Sequence, residues 1–227
     1  MTLLANITNR TMQDLQKLLK DLTSAEPQEL ENIVNEIAVC LLRQTKIVTP
    51  KEQFHLREIE FYYYDAQKHP DPYTHKRPRQ ALFGEWYFHR FKNVSAFLKS
   101  NRNGIDITFG NQESNLFGGI LIRKIENIRT GELIVGINKV VRELIKDIPD
   151  VDVDSMVIGT GQIVFDRQQP LHLEVNGNSY SSAIYKTQRY GLSYKDNELA
   201  QDYYKRPYCY YNHNLNVKQI IEVRSAI

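Results

Sequence analysis

Arg57-Glu58-Ile59-Glu60-Phe61-Tyr62-Tyr63-Tyr64-Asp65, running on to His69-Pro70-Asp71-Pro72-Tyr73-Thr74-His75, is the stretch whose reading decides the fold. Aromatic and β-branched residues dominate its first half, which predicts a strand over residues 54–64. Side chains alternate along a strand, so Ile59, Phe61 and Tyr63 share a face able to join a core. The other face carries Glu58, Glu60, Tyr62 and Tyr64. Unpaired buried charge is costly, so two carboxylates beside phenol rings mark either a site or an ordinary solution: a half-exposed edge strand, or ion pairs to Arg57 or the Lys76-Arg77 run.

Residues 65–80, with Pro70, Pro72 and Pro78, lack periodicity and read as a shaped loop. Residues 81–99, rich in Phe, Trp and Tyr, are expected to hold a helix that Gly84 weakens. Gly104 to Gly110 and Phe117 to Ile125 form two strands of a hairpin around the polar turn Asn111–Asn115. A helix is predicted near 132–147, with Ile137, Val140, Val141, Leu144 and Ile145 in register and Pro149 as its stop. Strands follow at 156–165 and 170–176, Asn176-Gly177 is a turn signal, and the aromatic run from Tyr203 to Tyr211 reads as the last strand.

Upstream, Met12, Leu15, Leu18, Leu19 and Leu22 recur at helical spacing, as do Leu30, Ile33, Val34, Ile37, Ala38, Leu41 and Leu42. Pro27 suits a first helical turn and Glu26 the positive end of a helix dipole. The expected organisation is a helical hairpin over 1–48, packed on the main domain or serving as a dimer or partner surface, and an α+β domain over 49–227.

With 227 residues, 41% hydrophobic and 25% charged, the chain can bury a real core. Tyrosine is over-used, 14 against a single Trp, which favours a ring-lined core, interface or base-stacking site. A net charge of only +2 does not announce a nucleic-acid binder. Local basic clusters at Lys76-Arg77-Arg79, Arg90-Lys92-Lys99-Arg102 and Lys205-Arg206 are either phosphate contacts or solvated surface. Cys40 and Cys209 lie in no metal-ligand spacing, no His-x-x-x-His pair occurs, and no metal is expected. Gly-x-Gly-x-x-Gly, Walker and Gly-x-Ser-x-Gly signatures are absent, which removes the common nucleotide-binding and serine-hydrolase readings. With no signal peptide and no apolar run of ~20 residues, the expectation is a cytoplasmic protein without a membrane partner.

In this order, the segments resemble the alkyladenine (3-methyladenine) DNA glycosylase family over about residues 54–214. The family's Glu-x-Glu-Ala-Tyr strand is similar to Glu58-Ile59-Glu60-Phe61-Tyr62, and its acidic loop ending in His to Asp71-Pro72-Tyr73-Thr74-His75. Its basic Pro-Arg segment resembles Arg77-Pro78-Arg79, its duplex-probing Tyr-Gly hairpin Thr108-Phe109-Gly110, and its returning strand Ile120-Leu121-Ile122-Arg123-Lys124. Gln188-Arg189-Tyr190-Gly191-Leu192 and Arg206-Pro207-Tyr208-Cys209-Tyr210-Tyr211 match two segments near the family's C-terminus. There are departures. Asp106 stands where the family stacks a ring on the extruded base, the hairpin between Phe109 and Arg123 is shorter, and Gly159 to Ile163 only echoes a Gly-Pro-Gly-Lys-Leu segment.

The resemblance implies a mixed or antiparallel sheet of the formyltransferase C-terminal-like kind. It also implies hydrolytic excision of an alkylated or modified purine from double-stranded DNA, without metal or cofactor. Glu60 would be the general base and Arg123 its partner. Tyr62, His75 and Asp106 would lie in the base pocket, Phe109 would be the wedge filling the gap in the duplex, and Arg77 and Arg79 would touch the DNA backbone. Each has a plainer explanation: a Glu60–Arg123 ion pair, core packing for Tyr62, loop capping for His75, and for Phe109 a hairpin aromatic against Trp86 or Tyr87. The alternative function is a binding module that has lost excision and recognises a modified base or a partner protein, with the N-terminal helices as a partner or homo-oligomer surface.

Overall fold

The strand over the opening stretch, β3 (Gln53–Asp65), is central rather than an edge, flanked along its length by strands on both sides. The computed structural model describes residues 2–3, 9–89, 103–149, 153, 155–156, 159, 161–175, 183–194 and 197–212. Within them the fold is α+β, a curled antiparallel sheet with helices. The other strands are β1 (Thr2–Leu3), β2 (Thr45–Val48), β4 (His69–Pro70), β5 (Phe83–Phe88), β6 (Ile105–Phe109), β7 (Phe117–Asn127), β8 (Leu133–Val135), β9 (His172–Val175), β10 (Ile184–Thr187) and β11 (Cys209–Tyr211). The sheet runs β1-β10-β11-β3-β7-β6-β5, with β2 and β4 also on β3, β8 on β7 and β9 on β2.

The two faces of the sheet differ sharply. Ile59, Phe61 and Tyr63 of β3, Ile120 and Ile122 of β7, Ile105, Ile107 and Phe109 of β6, and Trp86 and Phe88 of β5 all enter the core. Helices α1 (Met12–Ser24) and α2 (Pro27–Gln44) cover that core with Leu15, Leu19, Leu22, Leu30, Val34, Ile37 and Leu41, each at most 6% exposed. Thr11 and Asp14 cap α1 reciprocally (2.7 and 3.3 Å), and Pro27 opens α2. The apolar stripe of the hairpin is thus taken up by the sheet, and Thr45–Val48, counted above with the helical extension, is a strand of it.

Helix α3 (Ile137–Ile145) buries Val140, Val141, Leu144 and Ile145, as the periodicity predicts, but it is shorter than expected because Leu133–Val135 pairs with β7 first. Three expectations need correction. The helix expected over 81–99 is strand β5 in its described part, where Gly84 takes φ +69° and Trp86 and Phe88 alternate into the core. The strand expected over 156–165 is absent from its described part, where Met156 is helical and Ile163 forms only an isolated bridge to Glu85. The run from Tyr203 begins as helix α4 (Glu198–Lys205): Asn197 caps Ala200 N at 2.8 Å, Ala200 and Tyr203 are buried, and Pro207 forces the chain into β11. Asn176-Gly177 and the Arg90 to Arg102 basic cluster lie outside the described residues.

On the second face a buried ion pair ties distant segments together. Arg189 donates to both carboxylate oxygens of Asp71 (2.6 and 3.3 Å) and to the carbonyls of Phe61 and Tyr203 (both 3.2 Å), with both side chains 0% exposed. It therefore joins the 65–80 loop, β3 and α4. Asp71→Asn leaves that cation buried without its counter-charge and is expected to cost about 3–5 kcal/mol in urea unfolding, with Arg189→Met added on top recovering part of the loss. His55, on β3, is held down to about 4 by burial and then by Arg57, so it stays neutral in the folded chain where the unfolded chain takes up a proton below ~6.5. That contribution is complete above ~6.5 and is lost as pH falls toward about 4. Across this window His55→Gln should flatten the fall in unfolding free energy by roughly 1–3 kcal/mol.

Candidate functional site

The second face of the sheet carries one aligned row. Cys209 of β11, Glu60 of β3, Leu121 of β7, Asp106 of β6 and Tyr87 of β5 are register partners in succession. Glu58 and Tyr62 flank Glu60 on β3. The pairing of β3 with β7 slips twice: Leu56 faces Ile125, Glu58 faces Lys124 and Ile59 faces Ile122. Arg57 on β3 and Arg123 on β7 are therefore the extra residues of two compensating bulges. Bulges re-aim side chains, and this one brings consecutive cations, Arg123 and Lys124, to the carboxylate face. Lys124 Nζ lies 2.6 Å from Glu58, and Arg123 reaches Glu58 (3.1 Å) and Glu60 (3.3 Å).

Glu60 is 0% exposed. Its Oε1 accepts from the backbone N–H of Tyr190 (2.7 Å), and its Oε2 from the Tyr62 hydroxyl (2.9 Å) and Arg123. Burial pushes its carboxyl above the usual glutamate range, opposed by Arg123 and by the Tyr190 and Tyr62 hydrogen bonds. Burial, then the Glu60 charge, pushes the Tyr62 phenol up, so it remains a hydrogen-bond donor at neutral pH.

A cavity of about 530 Å³ opens beside this network, with Tyr62, His75, Gln80, His89, Arg123 and Tyr190 among its walls. Rings of Tyr62, Tyr73, His75, His89 and Tyr190 form part of its lining, with Arg123 supplying donors, and it suits a flat polar ligand. Arg189 lies 4.6 Å from the Tyr62 ring centre and Arg123 5.2 Å from that of Tyr190. A smaller hollow of about 280 Å³ between α2 and residues 206–210 has none of the predicted site residues in its wall. No cluster of His, Cys, Asp or Glu suited to a metal occurs among the described residues, and no helix among them is long and apolar enough to cross a membrane.

Of the predicted residues, Tyr62, His75 and Arg123 meet in one cavity although they come from three separate stretches of sequence. Glu60 stands directly behind Tyr62 and Arg123. Asp106 is 0% exposed and sits behind the wall, 2.6 Å from His89 and 3.4 Å from Gln80. Phe109 is not a wedge. It is 0% exposed on the core face, over Gly118 and 5.8 Å from the Tyr63 ring, so it cannot enter a duplex. It lies an odd number of positions from Asp106, and strand alternation sends the two side chains to opposite faces. Arg77 is exposed, whereas Arg79 is half-buried and turned to the carbonyl of Gly159 rather than outward. Sequence reasoning missed His89, Gln80 and Tyr190. Tyr190 contributes through its backbone, which residue identity does not announce, although Gly191 at φ +69° marks the turn that presents it.

No family model matches the chain. It is 32% identical over 176 residues to an uncharacterized protein, L759, of Acanthamoeba polyphaga mimivirus, a match covering 73% of this chain and 81% of that protein. The chain belongs to the same family as that mimivirus protein.

Proposed function

We propose that the cavity receives a single purine-type base swung out of double-stranded DNA, and that Glu60 and Arg123 serve its hydrolytic excision on a fold of the 3-methyladenine glycosylase kind. The observation that carries this reading is the convergence of Tyr62, His75 and Arg123 on one ring-lined cavity with Glu60 at its back. An extruded base needs flat walls, and Tyr62, His75 and Tyr190 supply them.

In this reading a water oxygen bonds to C1′ of the sugar as the C1′–N bond to the base breaks. Glu60 takes a proton from the water and returns it to solvent, while the base leaves with the bonding pair, neutral if it was an alkylated cation and otherwise protonated by solvent. The carboxylate also opposes the positive charge that develops on the sugar ring. Arg123 opposes the upward push that burial gives the Glu60 carboxyl, so it favours the ionised form that a base needs.

A second reading, a base-binding module without excision, is favoured by one specific feature: Glu60 is 0% exposed and both its oxygens already accept hydrogen bonds, so water reaches it only if Arg123 or the Tyr190 turn gives way.

Duplex oligonucleotides bearing 3-methyladenine, 7-methylguanine, hypoxanthine or ethenoadenine, followed by alkaline cleavage, separate the two. Excision by the wild-type chain, lowered about 10²- to 10⁴-fold in Glu60→Gln, is the expected result. Salt-sensitive binding to the modified duplexes with no abasic product establishes the binding module instead, and no binding to any of them defeats both. Where excision occurs, its acid limb should have a midpoint above the ordinary glutamate value of ~4.3, because Glu60 must be ionised. Arg123→Gln removes the cation that lowers the Glu60 pKa and should move that midpoint to higher pH; a midpoint that stays put removes Glu60 from the role of base.

A further inference from the structure

Across the cavity from Glu60, a second polar unit is built into the sheet. Asp106 on β6 is the register partner of Tyr87 on β5, and His89 continues β5 with its N–H on the carbonyl of Gly104 (2.8 Å). Tyr87, His89 and Asp106 therefore share the cavity face. His89 Nε2 lies 2.6 Å from Asp106 Oδ1, a charge contact in which neither atom meets hydrogen-bond geometry, and Gln80 Nε2 donates to Oδ2 at 3.4 Å. A Cβ at position 119 would lie 2.5 Å from Asp106 Oδ2, so glycine there leaves the carboxylate its space. The His89 ring packs against Tyr87 (4.9 Å, 31°) and edge-on to His75 (5.5 Å, 64°).

A carboxylate this close to Nε2 favours the tautomer with its proton there, which in the neutral ring leaves the lone pair on Nδ1. Nδ1 has no partner among the described residues, and His89 lines the cavity. Arg123, on the Glu60 side, offers donors only.

We propose that His89, fixed by Asp106, is the cavity's specificity-determining acceptor. The preferred ligand is then a planar base that presents an amino or ring N–H donor toward His89 and an acceptor toward Arg123. Resting on the base-binding reading above, this narrows the ligand class to amino-bearing bases. It also explains Asp106 at a position where the resemblance implies a stacking ring: the ring at this wall is that of His89, and Asp106 is the residue that positions it.

The test uses the whole chain and two free nucleosides, adenosine and purine riboside, the latter lacking the 6-amino group and any base N–H. Calorimetric or NMR titration should show adenosine bound about tenfold more tightly by the wild type. His89→Phe keeps a ring and should abolish the preference while leaving the affinity for purine riboside within about twofold. Asp106→Asn should lower the preference too, and ¹⁵N NMR of the His89 ring should show the wild-type tautomer with the proton on Nε2 give way to a mixture. The ring signal also reports the positioning role if His89→Phe does not fold. Equal binding of the two nucleosides by the wild type, or equal loss of both in His89→Phe, overturns the acceptor role and leaves base binding standing. Failure of the folded wild type to bind either nucleoside overturns the base-binding reading and this inference with it.

Discussion

Burying two carboxylates two residues apart on a central strand is the constraint that shapes this molecule. Glu58 and Glu60 are 8% and 0% exposed, and neither can stay charged there without a cation and hydrogen bonds. A regular β7 would turn only alternate residues toward them. The bulge at Arg123 breaks that alternation and delivers Arg123 and Lys124 together. The Tyr62 hydroxyl and the Tyr190 N–H complete the set around Glu60. Because the last of these comes from the 188–191 turn, the turn must be held in place, and the Arg189–Asp71 pair holds it: the residue next to Tyr190 is anchored to β3, the proline loop and α4 at once. The polar face of the sheet is thus a linked system in which charge compensation near Glu60 depends on a second, fully buried ion pair.

The division of labour between the faces follows from this. The apolar face packs under α1 and α2 as one core, where tolerance to change is set by shape and volume. The other face is organised by directional contacts, and one wrong partner leaves a buried charge exposed to nothing. Tyr73, Ala200 and Tyr203, with Tyr62 and Tyr208 against them, form a small separate cluster beside that network. Its rings supply flat, apolar surface without removing the polar tips that the network needs.

Period-two alternation made much of this legible beforehand. The opening stretch splits into Ile59-Phe61-Tyr63 and Glu58-Glu60-Tyr62 as expected, the 104–125 hairpin forms, and the helical stripes are buried where their spacing places them. The same rule, applied to Asp106 and Phe109, already puts them on opposite faces; the family likeness suggested a wedge that local geometry forbids. Other features were beyond one-dimensional reading. A bulge leaves no reliable mark in sequence, so the joint delivery of Arg123 and Lys124 was not visible. The strand at Phe83–Phe88 overrode an expected helix because its neighbours β6 and residues 162–164 supply the backbone partners that a helix would have supplied internally. The helix at Glu198–Lys205 depends on an Asn197 cap inside what reads as an aromatic strand.

His89 illustrates how a residue-by-residue comparison can point at one position while the side chain that faces the cavity belongs to its neighbour. Asp106 lies behind the cavity wall rather than in it, and a carboxylate there cannot stack and, buried, cannot be left alone. It needs a donor, and the register places His89 within reach on the neighbouring strand. The histidine in turn brings a ring to the wall. Under the proposed reading, what departs from the resembled family is the chemistry of this wall: an imidazole with a lone pair on Nδ1 would stand where the likeness implies a ring that only stacks. A wall that merely stacks accepts any flat base, whereas a wall that also accepts a hydrogen bond penalises ligands without a donor, since its buried acceptor would go unpaired. In the base-binding reading proposed above, Asp106 therefore acts on selectivity, through His89, more than on the capacity to bind.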